Sequence, residues 1–360
     1  MCVYENRRIL LQHSMQRAEI AAVVVAPSAD FLYLTGSVRQ ESQRAAALVI
    51  TRERAVLLMP AFECGNEPGL AASLALLPYS DDQDAVGLLA DLLPARGCVA
   101  VGRQMRASLL LALQARCPAL RWQSADSLLV PLRSRKSAQE IQTIEAAQHM
   151  AERALTRLLN EPLIGRTEKE IAARLRQLRL EEGFDAVGDG IVASGPNTAL
   201  PHHVNGSRVV CRGDALMFDI GGTYRGYRAD FTRTFAVGSL PEGFEDVYSI
   251  VLEAHLAGRR AAAAGVPAAE VDRAARRVIS EAGYGHFFTH RLGHGIGLDV
   301  HEAPFIASAN TAPLEPGNVF SCEPGIYLPG RFGIRIEDLL VLEPDGARSL
   351  NTLSKQLQIV

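Results

Sequence analysis

The chain has 360 residues, a hydrophobic fraction of 48% and a formal net charge of −3 at pH 7. The length favours two domains with sizeable cores, and the near-neutral charge gives no reason to expect nucleic acid or a membrane surface as a partner. Six cysteines without CxxC spacing indicate reduced thiols, and the N-terminal residues resemble neither a signal peptide nor a membrane span. The sequence therefore predicts a soluble cytoplasmic protein.

The first third of the chain alternates short apolar segments with helical patterns. Its predicted elements are a helix at 7–18, a buried strand at 21–26, an apolar segment at 31–36, two strands around a polar turn at 45–60, a helix at 85–93 and a strand at 98–102. Strands alternating with helices predict an α/β domain with a mainly parallel or mixed sheet. Because neither GxGxxG nor GxxxxGK[ST] follows these strands, a nucleotide site is not predicted.

The pattern changes near Leu132, where we expect a domain boundary. Ser137 then opens a long alanine-rich helix with Glu140 three residues later, and Thr167 opens a second helix with Glu170 in the same position. Both pairs are typical of capping boxes, in which the two residues satisfy each other's free backbone N–H groups.

The rest of the chain repeats one order of elements, helices followed by a strand–turn–strand segment. After the two capped helices come a strand at 190–195, a hairpin at 215–237, helices at 244–264 and 268–283, and a second hairpin at 319–342. This order predicts an α+β domain with an internal duplication, in which two hairpins face each other. The predicted domains are therefore 1–132 and 133–360.

Each predicted hairpin carries two acids. Asp219 and Asp230 lie eleven residues apart, and Glu323 and Glu337 lie fourteen apart. A turn centred midway would place the acids of each pair face to face, with Cβ atoms roughly 5 Å apart. Four carboxylates at that distance repel one another unless a cation is present. The spacing therefore predicts a dinuclear metal centre.

An ion-pair network is the alternative interpretation of these acids. They lie within apolar strands, where an unpaired carboxylate costs several kcal/mol, and Arg228 and Arg335 could supply the partners. That alternative does not explain why both hairpins repeat the arrangement.

Most of the histidines lie between His202 and His301, and His294 stands in the glycine-rich run LGHGIGLDVHE. Its glycines disfavour a helix and predict a loop whose backbone passes close to a ligand. Oxygen donors with one histidine favour Mn²⁺, Co²⁺ or Zn²⁺ over Ca²⁺. Three further histidines are interpreted as ordinary surface or core residues: His13, His149 and His255.

Five blocks of the second domain resemble the Xaa-Pro peptidases, the prolidase and aminopeptidase P branch of the pita-bread metallopeptidases. They are ASGPNTALPHH, DIGGTYRGYRADFTRTF, HRLGHGIGLDVHE, CEPGIY and IRIEDLL. The first domain is similar to the creatinase-type N-terminal domain, most clearly in VVVAPSADFLYLTG. The resemblance implies an α/β creatinase-like domain followed by an α+β pita-bread catalytic domain with two pseudo-symmetric halves.

The resemblance also implies roles for individual residues. The metal ligands it implies are Asp219, Asp230, His294, Glu323 and Glu337. Glu323 would also activate the attacking water, and His202 and His301 would act in catalysis near the developing oxyanion. His290 and Arg335 would bind substrate, with Arg335 also anchoring the carboxylate network, whereas the resemblance supplies no role for His203.

The implied function is hydrolysis of the bond between an N-terminal residue and proline in short peptides. Two divalent ions, Mn²⁺ with Co²⁺ or Zn²⁺ as alternatives, would lower the pKa of a water that bridges them. A homodimer is expected, because relatives pair through their N-terminal domains. A different di-metal hydrolase or aminopeptidase and a non-catalytic binding protein are the alternatives.

Two departures from the family pattern leave the substrate open. Arg228 stands where relatives often have a small or polar residue, and GFDAVGDGIVASG is longer than the usual FDxIVASG. Both features concern the rim of the pocket, so the choice between dipeptidase and aminopeptidase is not made by the sequence.

Overall fold

The computed structural model describes residues 2–66, 70 and 74–360, and the chain divides into two compact units. Unit 1 is Met1–Arg133 and unit 2 is Ser134–Val360. Among the described residues, no helix combines the length and apolar character needed to cross a membrane.

Unit 1 is built on a mixed six-stranded sheet in the order β4-β3-β2-β1-β5-β6. Its strands are β1 (Ala22–Val25), β2 (Ala47–Thr51), β3 (Ala55–Pro60), β4 (Ala75–Tyr79), β5 (Gly97–Val101) and β6 (Leu120–Ser124). Its helices are α1 (Val3–Arg17), α2 (Ala29–Thr35), α3 (Ala85–Asp91), α4 (Ala107–Arg116) and α5 (Asp126–Ser134), the last of which ends one residue into unit 2. Three of the strand pairs are parallel and two are antiparallel, which confirms the predicted α/β class.

The apolar segment 31–36 forms most of helix α2 and the glycine that ends it. The Ser28 hydroxyl accepts a hydrogen bond from the Phe31 N–H at the start of this helix, and Gly36 ends it in the left-handed conformation with φ 77°. Glycine is the residue that adopts this conformation at least cost.

Unit 2 contains two helix pairs and three sheets. Its helices are α6 (Ala138–Leu159), α7 (Glu168–Glu181), α8 (Phe244–Ala261) and α9 (Ala268–Glu281). Its strands are β7 (Ile191–Ser194), β8 (Ala215–Tyr224), β9 (Tyr227–Ala236), β10 (Gly293–Gly295), β11 (Glu302–Ile306), β12 (Val319–Cys322), β13 (Gly325–Leu328), β14 (Phe332–Arg335), β15 (Asp338–Glu343) and β16 (Gly346–Ser349). The sheets are β7-β8-β9, β11-β10-β12-β15-β16 and the hairpin β13-β14.

The two halves of unit 2 repeat one arrangement, as the sequence predicted. In each half a long helix is followed by a shorter helix and then by antiparallel strands. The residue before each shorter helix forms an isolated bridge to a later segment, Thr167 with Val209 and Pro267 with Pro313. Each half has its own buried apolar cluster. The predicted pita-bread class with two pseudo-symmetric halves is confirmed.

Both predicted capping boxes are present. The Ser137 side chain accepts from the Glu140 N–H while the Glu140 carboxylate accepts from the Ser137 N–H, and Thr167 and Glu170 do the same. Helices α6 and α7 therefore begin where the sequence placed them.

The register of the first hairpin differs from the prediction. Its turn falls at Arg225-Gly226, both with positive φ, so Asp219 lies opposite Thr232 and Asp230 lies opposite Gly221. The two aspartates are diagonal neighbours on one face, roughly 7 Å apart, and do not stand face to face. The tight two-residue turn decides the register, and it lies one residue beyond the midpoint of the acids.

The second hairpin has the predicted register. Cys322 lies opposite Asp338, and Gly325 lies opposite Arg335. Glu323 and Glu337 follow the same register in the gap between these two ladders, so they stand opposite each other.

The glycines around His294 have a different structural role from the predicted one. Gly293 and Gly295 belong to strand β10, not to a loop. A Cβ at Gly293 would lie 1.9 Å from the Ser321 carbonyl oxygen, and one at Gly295 would lie 2.3 Å from the Ala303 carbonyl oxygen. The missing side chains therefore allow close approach of neighbouring protein backbone, not of a ligand.

We expect Gly293→Ala to destabilise unit 2, because the new methyl group displaces the backbone of β12. Overpacking of this kind costs about 2 kcal/mol, which lowers the melting temperature by about 4–8 °C. Thermal unfolding of the variant measures the effect. Gly188→Ala is the control, since its Cβ would meet nothing within 4 Å. Equal melting temperatures for the two variants would contradict the packing argument.

Candidate metal centre

The site residues that were predicted from the sequence line one cavity of unit 2, which has a volume of about 960 Å³. The predicted metal ligands that line it are Asp219, Asp230, His294, Glu323 and Glu337. The predicted catalytic and substrate-binding residues that line it are His202, His290, His301 and Arg335. Both hairpins and strand β10 thus deliver their polar side chains to the same space.

Three of these side chains, Asp230, His294 and Glu337, form a group that could hold a metal ion. Each of the three offers a ligand atom, and these atoms lie within 4.8 Å of one another. The His294 Nε2 atom is 3.3 Å from the Glu323 Oε1 atom and 3.8 Å from the Asp230 Oδ2 atom. One imidazole nitrogen and several carboxylate oxygens at such distances form a donor set suited to a divalent transition metal.

Burial and mutual repulsion perturb these carboxylates. Burial, followed by the nearby charges of Asp219 and Glu323, raises the pKa of Asp230 well above its ordinary value. Burial, followed by the charge of Asp230, does the same to the pKa of Glu337. Burial raises the pKa of Glu323 to about 7, although the Arg335 charge partly offsets it. Without a cation, burial and mutual repulsion therefore favour the protonated forms of these acids.

The two carboxylate oxygens of Glu337 differ in their hydrogen bonding. One carboxylate oxygen accepts a hydrogen bond from the Thr232 hydroxyl at 2.7 Å. The other, Oε1, is buried and has no hydrogen-bond partner among the described residues. A buried acceptor without a partner costs about 1–3 kcal/mol, and a divalent ion at this oxygen would remove the cost. The residues therefore fit a metal.

His294 is arranged as a neutral ligand. Its Nδ1–H donates to the Gly295 carbonyl oxygen at 3.1 Å, which leaves Nε2 facing the carboxylates. Burial, followed by the charge of His301, lowers the pKa of His294 to about 3. A neutral imidazole with its second nitrogen fixed by a carbonyl is the usual state of a metal-binding histidine.

Arg335 joins the first hairpin to the second. It is buried, its Nη2 donates to the Asp219 carboxylate at 2.6 Å, and its Nε donates to the Thr232 hydroxyl at 3.0 Å. The ion-pair alternative is thus realised for Asp219. Arg228 does not take that role, because its side chain donates to the Thr223 hydroxyl and the Leu298 carbonyl.

His290 has protein partners at both ring nitrogens. Its Nδ1–H donates to the Arg291 carbonyl oxygen at 2.7 Å, and its Nε2 accepts from the Tyr327 hydroxyl at 2.8 Å. The same hydroxyl accepts from Arg335 Nη1 at 2.9 Å. Burial lowers the pKa of His290 to about 4, so the ring is neutral at physiological pH.

Sequence reasoning assigned no role to Tyr327, Thr232 or Ser321. Tyr327 links His290 to Arg335, Thr232 orients both Arg335 and Glu337, and the Ser321 hydroxyl donates to Glu323 at 2.9 Å. Two signals were present, since Thr232 follows Asp230 at the two-residue spacing of one strand face and Tyr327 ends the block CEPGIY.

A buried network behind the centre fixes Glu337. Arg233 donates to the Glu337 carbonyl oxygen at 2.6 Å and to the Asp338 carboxylate at 2.7 Å. Burial alone would raise the pKa of Asp338, but Arg233, His255 and Lys355 lower it well below its ordinary value. His255 is fully buried in this network, which agrees with its interpretation as a core residue.

His203 supports the loop that carries His202. Its Nε2 lies 2.7 Å from the Glu168 carboxylate, which is fully buried. The Glu168 carboxylate also accepts hydrogen bonds from the backbone N–H groups of Ser194 and Gly206, so it binds both ends of the loop. The sequence supplied no role for His203, and the structure shows this one.

We expect binding of Mn²⁺ to the metal-free protein to release protons at pH 7. A carboxyl group with a raised pKa is protonated below that pKa and must ionise to bind metal, so affinity rises as pH increases from 6 to 8. Titration calorimetry in buffers of different ionisation enthalpy counts the protons, and about one or more is expected. Glu337→Gln serves as the comparison and should release fewer. A heat of binding that is the same in every buffer would contradict the assignment.

Comparisons with known proteins agree with this geometry. Residues 142–344 match the model of metallopeptidase family M24, and residues 7–135 match the creatinase/prolidase N-terminal domain. The Xaa-Pro dipeptidase of Pyrococcus furiosus is 40% identical over 233 residues, which cover 64% of this chain and 67% of that protein. The probable dipeptidase PepE of Mycobacterium tuberculosis is 38% identical over 364 residues, 99% of this chain and 97% of that protein.

A solved structure matches the whole chain. The crystal structure of a recombinant prolidase from Thermococcus sibiricus has a TM-score of 0.94 and 32% identity, and the match covers 100% of both chains. These matches confirm the resemblance that the five sequence blocks indicated. The chain belongs to metallopeptidase family M24 and is a hydrolase with a creatinase/prolidase N-terminal domain.

Proposed function

We propose that this protein is a di-metal Xaa-Pro peptidase, which cleaves the bond between an N-terminal residue and proline in short peptides. The convergence of four acids and His294 in one cavity carries the proposal. The names of the Xaa-Pro dipeptidase and prolidase relatives support the substrate class.

The proposed ligands are Asp219, Asp230, His294, Glu323 and Glu337, and they would hold two divalent ions. Mn²⁺ is the proposed metal, with Co²⁺ or Zn²⁺ as alternatives, because the donor set is oxygen-rich with one imidazole. The bound ions would supply Lewis-acid activation of water and of the scissile carbonyl. The unpartnered Oε1 of Glu337 supports its place in this set.

Glu323 is the proposed proton carrier. The Ser321 hydroxyl donates to its Oε1 at 2.9 Å and holds the carboxylate in position. A carboxylate beside the attacking water would accept a proton from that water and return it to the proline nitrogen as the leaving group departs.

His202 and His301 are proposed to face the reacting carbonyl, since both line the cavity beside the metal ligands. The His301 ring lies edge-on to His294 at 4.2 Å between centroids, so its position is fixed by the ligand that it contacts. Burial lowers the pKa of His301, which favours a neutral ring that donates an N–H to a developing negative charge.

His290 and Arg335 are proposed to shape the substrate site. Because both nitrogens of His290 are engaged by Arg291 and Tyr327, the ring presents only its carbon edge to a peptide. Arg335 acts mainly by holding Asp219 in position. Their contribution is therefore one of placement and shape.

Three broader expectations belong to the proposal. We propose that the division after residue 132 separates two domains, which the two family matches and the two compact units support. A homodimer and a cytoplasmic location stay predictions. Size-exclusion chromatography with light scattering tests the homodimer.

The substrate panel consists of Ala-Pro, Ala-Pro-Ala and longer Ala-Pro peptides, with Ala-Ala and Met-Ala as controls. With Mn²⁺ present, we expect release of alanine from Ala-Pro substrates and no comparable turnover of the controls. Cleavage of the tripeptide and longer peptides but not of Ala-Pro would make the enzyme an aminopeptidase. Turnover of Met-Ala in preference to every proline peptide would contradict the proposed substrate class.

We expect Glu323→Gln to lower kcat by about 10²- to 10⁴-fold, because the amide cannot accept the proton. Metal analysis of the variant separates lost metal from lost proton transfer. Glu281→Gln, at the exposed end of α9, is the matched control and should keep full activity. Wild-type activity in Glu323→Gln would remove Glu323 from the mechanism.

A further inference from the structure

Arg228 is a cation of the cavity that the proposed mechanism does not use. It lies on strand β9 two residues before Asp230, so both side chains point to the same face of the hairpin. Its side chain lines the same cavity as the metal ligands. Two residues of a strand span about 7 Å, so the backbone of Arg228 lies about that far from the backbone of Asp230.

The partners of Arg228 are neutral. Its Nη1 donates to the Thr223 hydroxyl, and its Nε donates to the Leu298 carbonyl oxygen at 3.4 Å. Within the described part of the chain it forms no ion pair, and the guanidinium has five N–H donors. Both N–H groups of Nη2 therefore remain for a ligand, while the other contacts hold the side chain in place.

Two of the other three arginines of the cavity are engaged by protein groups, and the third contacts an aromatic ring. Arg335 pairs with Asp219, and Arg179 donates to backbone carbonyl oxygens, among them those of Gly188 and Gly221. Arg291 lies over the Phe305 ring at 4.6 Å, and its charge helps to lower the pKa of His301 after burial. Arg291 thus contributes to the electrostatics of the metal centre.

We propose that Arg228 is the carboxylate-binding, specificity-determining residue of the cavity. The proposal rests on the peptidase function proposed above and adds a substrate class to it, peptides with a carboxylate next to the scissile bond. A planar guanidinium held by neutral partners binds a carboxylate through charge-assisted N–H···O bonds. No acidic side chain among the described residues forms an ion pair with Arg228, so none competes with a carboxylate of the substrate.

The carboxylate has two possible sources in a short peptide. One is an acidic side chain, as in Glu-Pro, and the other is the C-terminal carboxylate, as in Ala-Pro. The substrates Glu-Pro-amide, Gln-Pro-amide, Ala-Pro and Ala-Pro-amide separate the sources, because each pair differs in a single carboxylate.

The experiment compares kcat/KM of the Mn²⁺-loaded wild type and four variants on these four peptides: Arg228→Gln, Arg228→Lys, Arg225→Gln and Arg291→Gln. Arg228→Gln should lose about 10- to 100-fold on the peptides whose carboxylate it binds and less than about threefold on their uncharged partners. Arg228→Lys keeps the charge but not the planar guanidinium with its paired N–H donors, so it should recover part of the lost kcat/KM. Arg225→Gln, an exposed change of the same charge in the turn of the same hairpin, is the control and should lose nothing.

Loss on Glu-Pro-amide alone identifies the side chain as the source, and loss on Ala-Pro alone identifies the terminus. Equal effects of Arg228→Gln on all four peptides, or no effect, would overturn the proposal. A carboxylate-selective loss in Arg291→Gln and not in Arg228→Gln would also overturn it, because Arg291 lines the same cavity.

If the wild type cleaves none of the peptides, the peptidase proposal fails by itself. Titration calorimetry with the same uncleaved peptides then tests Arg228 directly. A selective loss of affinity for the carboxylate peptides in Arg228→Gln would support the subsite, and unchanged affinity would refute it.

Discussion

Mutual repulsion among buried carboxylates is the constraint on which the catalytic unit depends. Asp230, Glu323 and Glu337 share one enclosed space, and burial together with neighbouring charge raises the pKa of each. Arg335 compensates one acid of the site, Asp219, through a partly buried ion pair. Removing ionised groups from water costs several kcal/mol apiece, so the arrangement is stable as a set of anions only with further positive charge.

The fold supplies that arrangement through strand register and through connections behind the site. The tight turn at Arg225-Gly226 sets Asp219 and Asp230 on one face, and the second hairpin sets Glu323 opposite Glu337. Arg233 holds the backbone at Glu337 from behind. The strands are therefore rigid supports, and the side chains that carry chemistry project from them into the cavity.

Much of the site could be predicted from sequence because its signals are local. The acids stand in short apolar strands, and His294 lies in a glycine-rich block, so each could be identified from its neighbours. The register of the first hairpin could not, since it depends on which residues adopt positive φ in the turn. Contacts between distant segments of the chain give no signal in the periodicity of the sequence. The close packing at Gly293 and the hydrogen bonds that link His290 through Tyr327 to Arg335 are contacts of this kind.

The proposed function requires that the five side chains hold two metal ions. An anomalous difference map of crystals soaked in Mn²⁺ shows whether they do. We predict two peaks about 3.5–4 Å apart, enclosed by Asp219, Asp230, His294, Glu323 and Glu337. A map with no peak among these side chains, or with Mn²⁺ bound only elsewhere on the protein, would contradict the account.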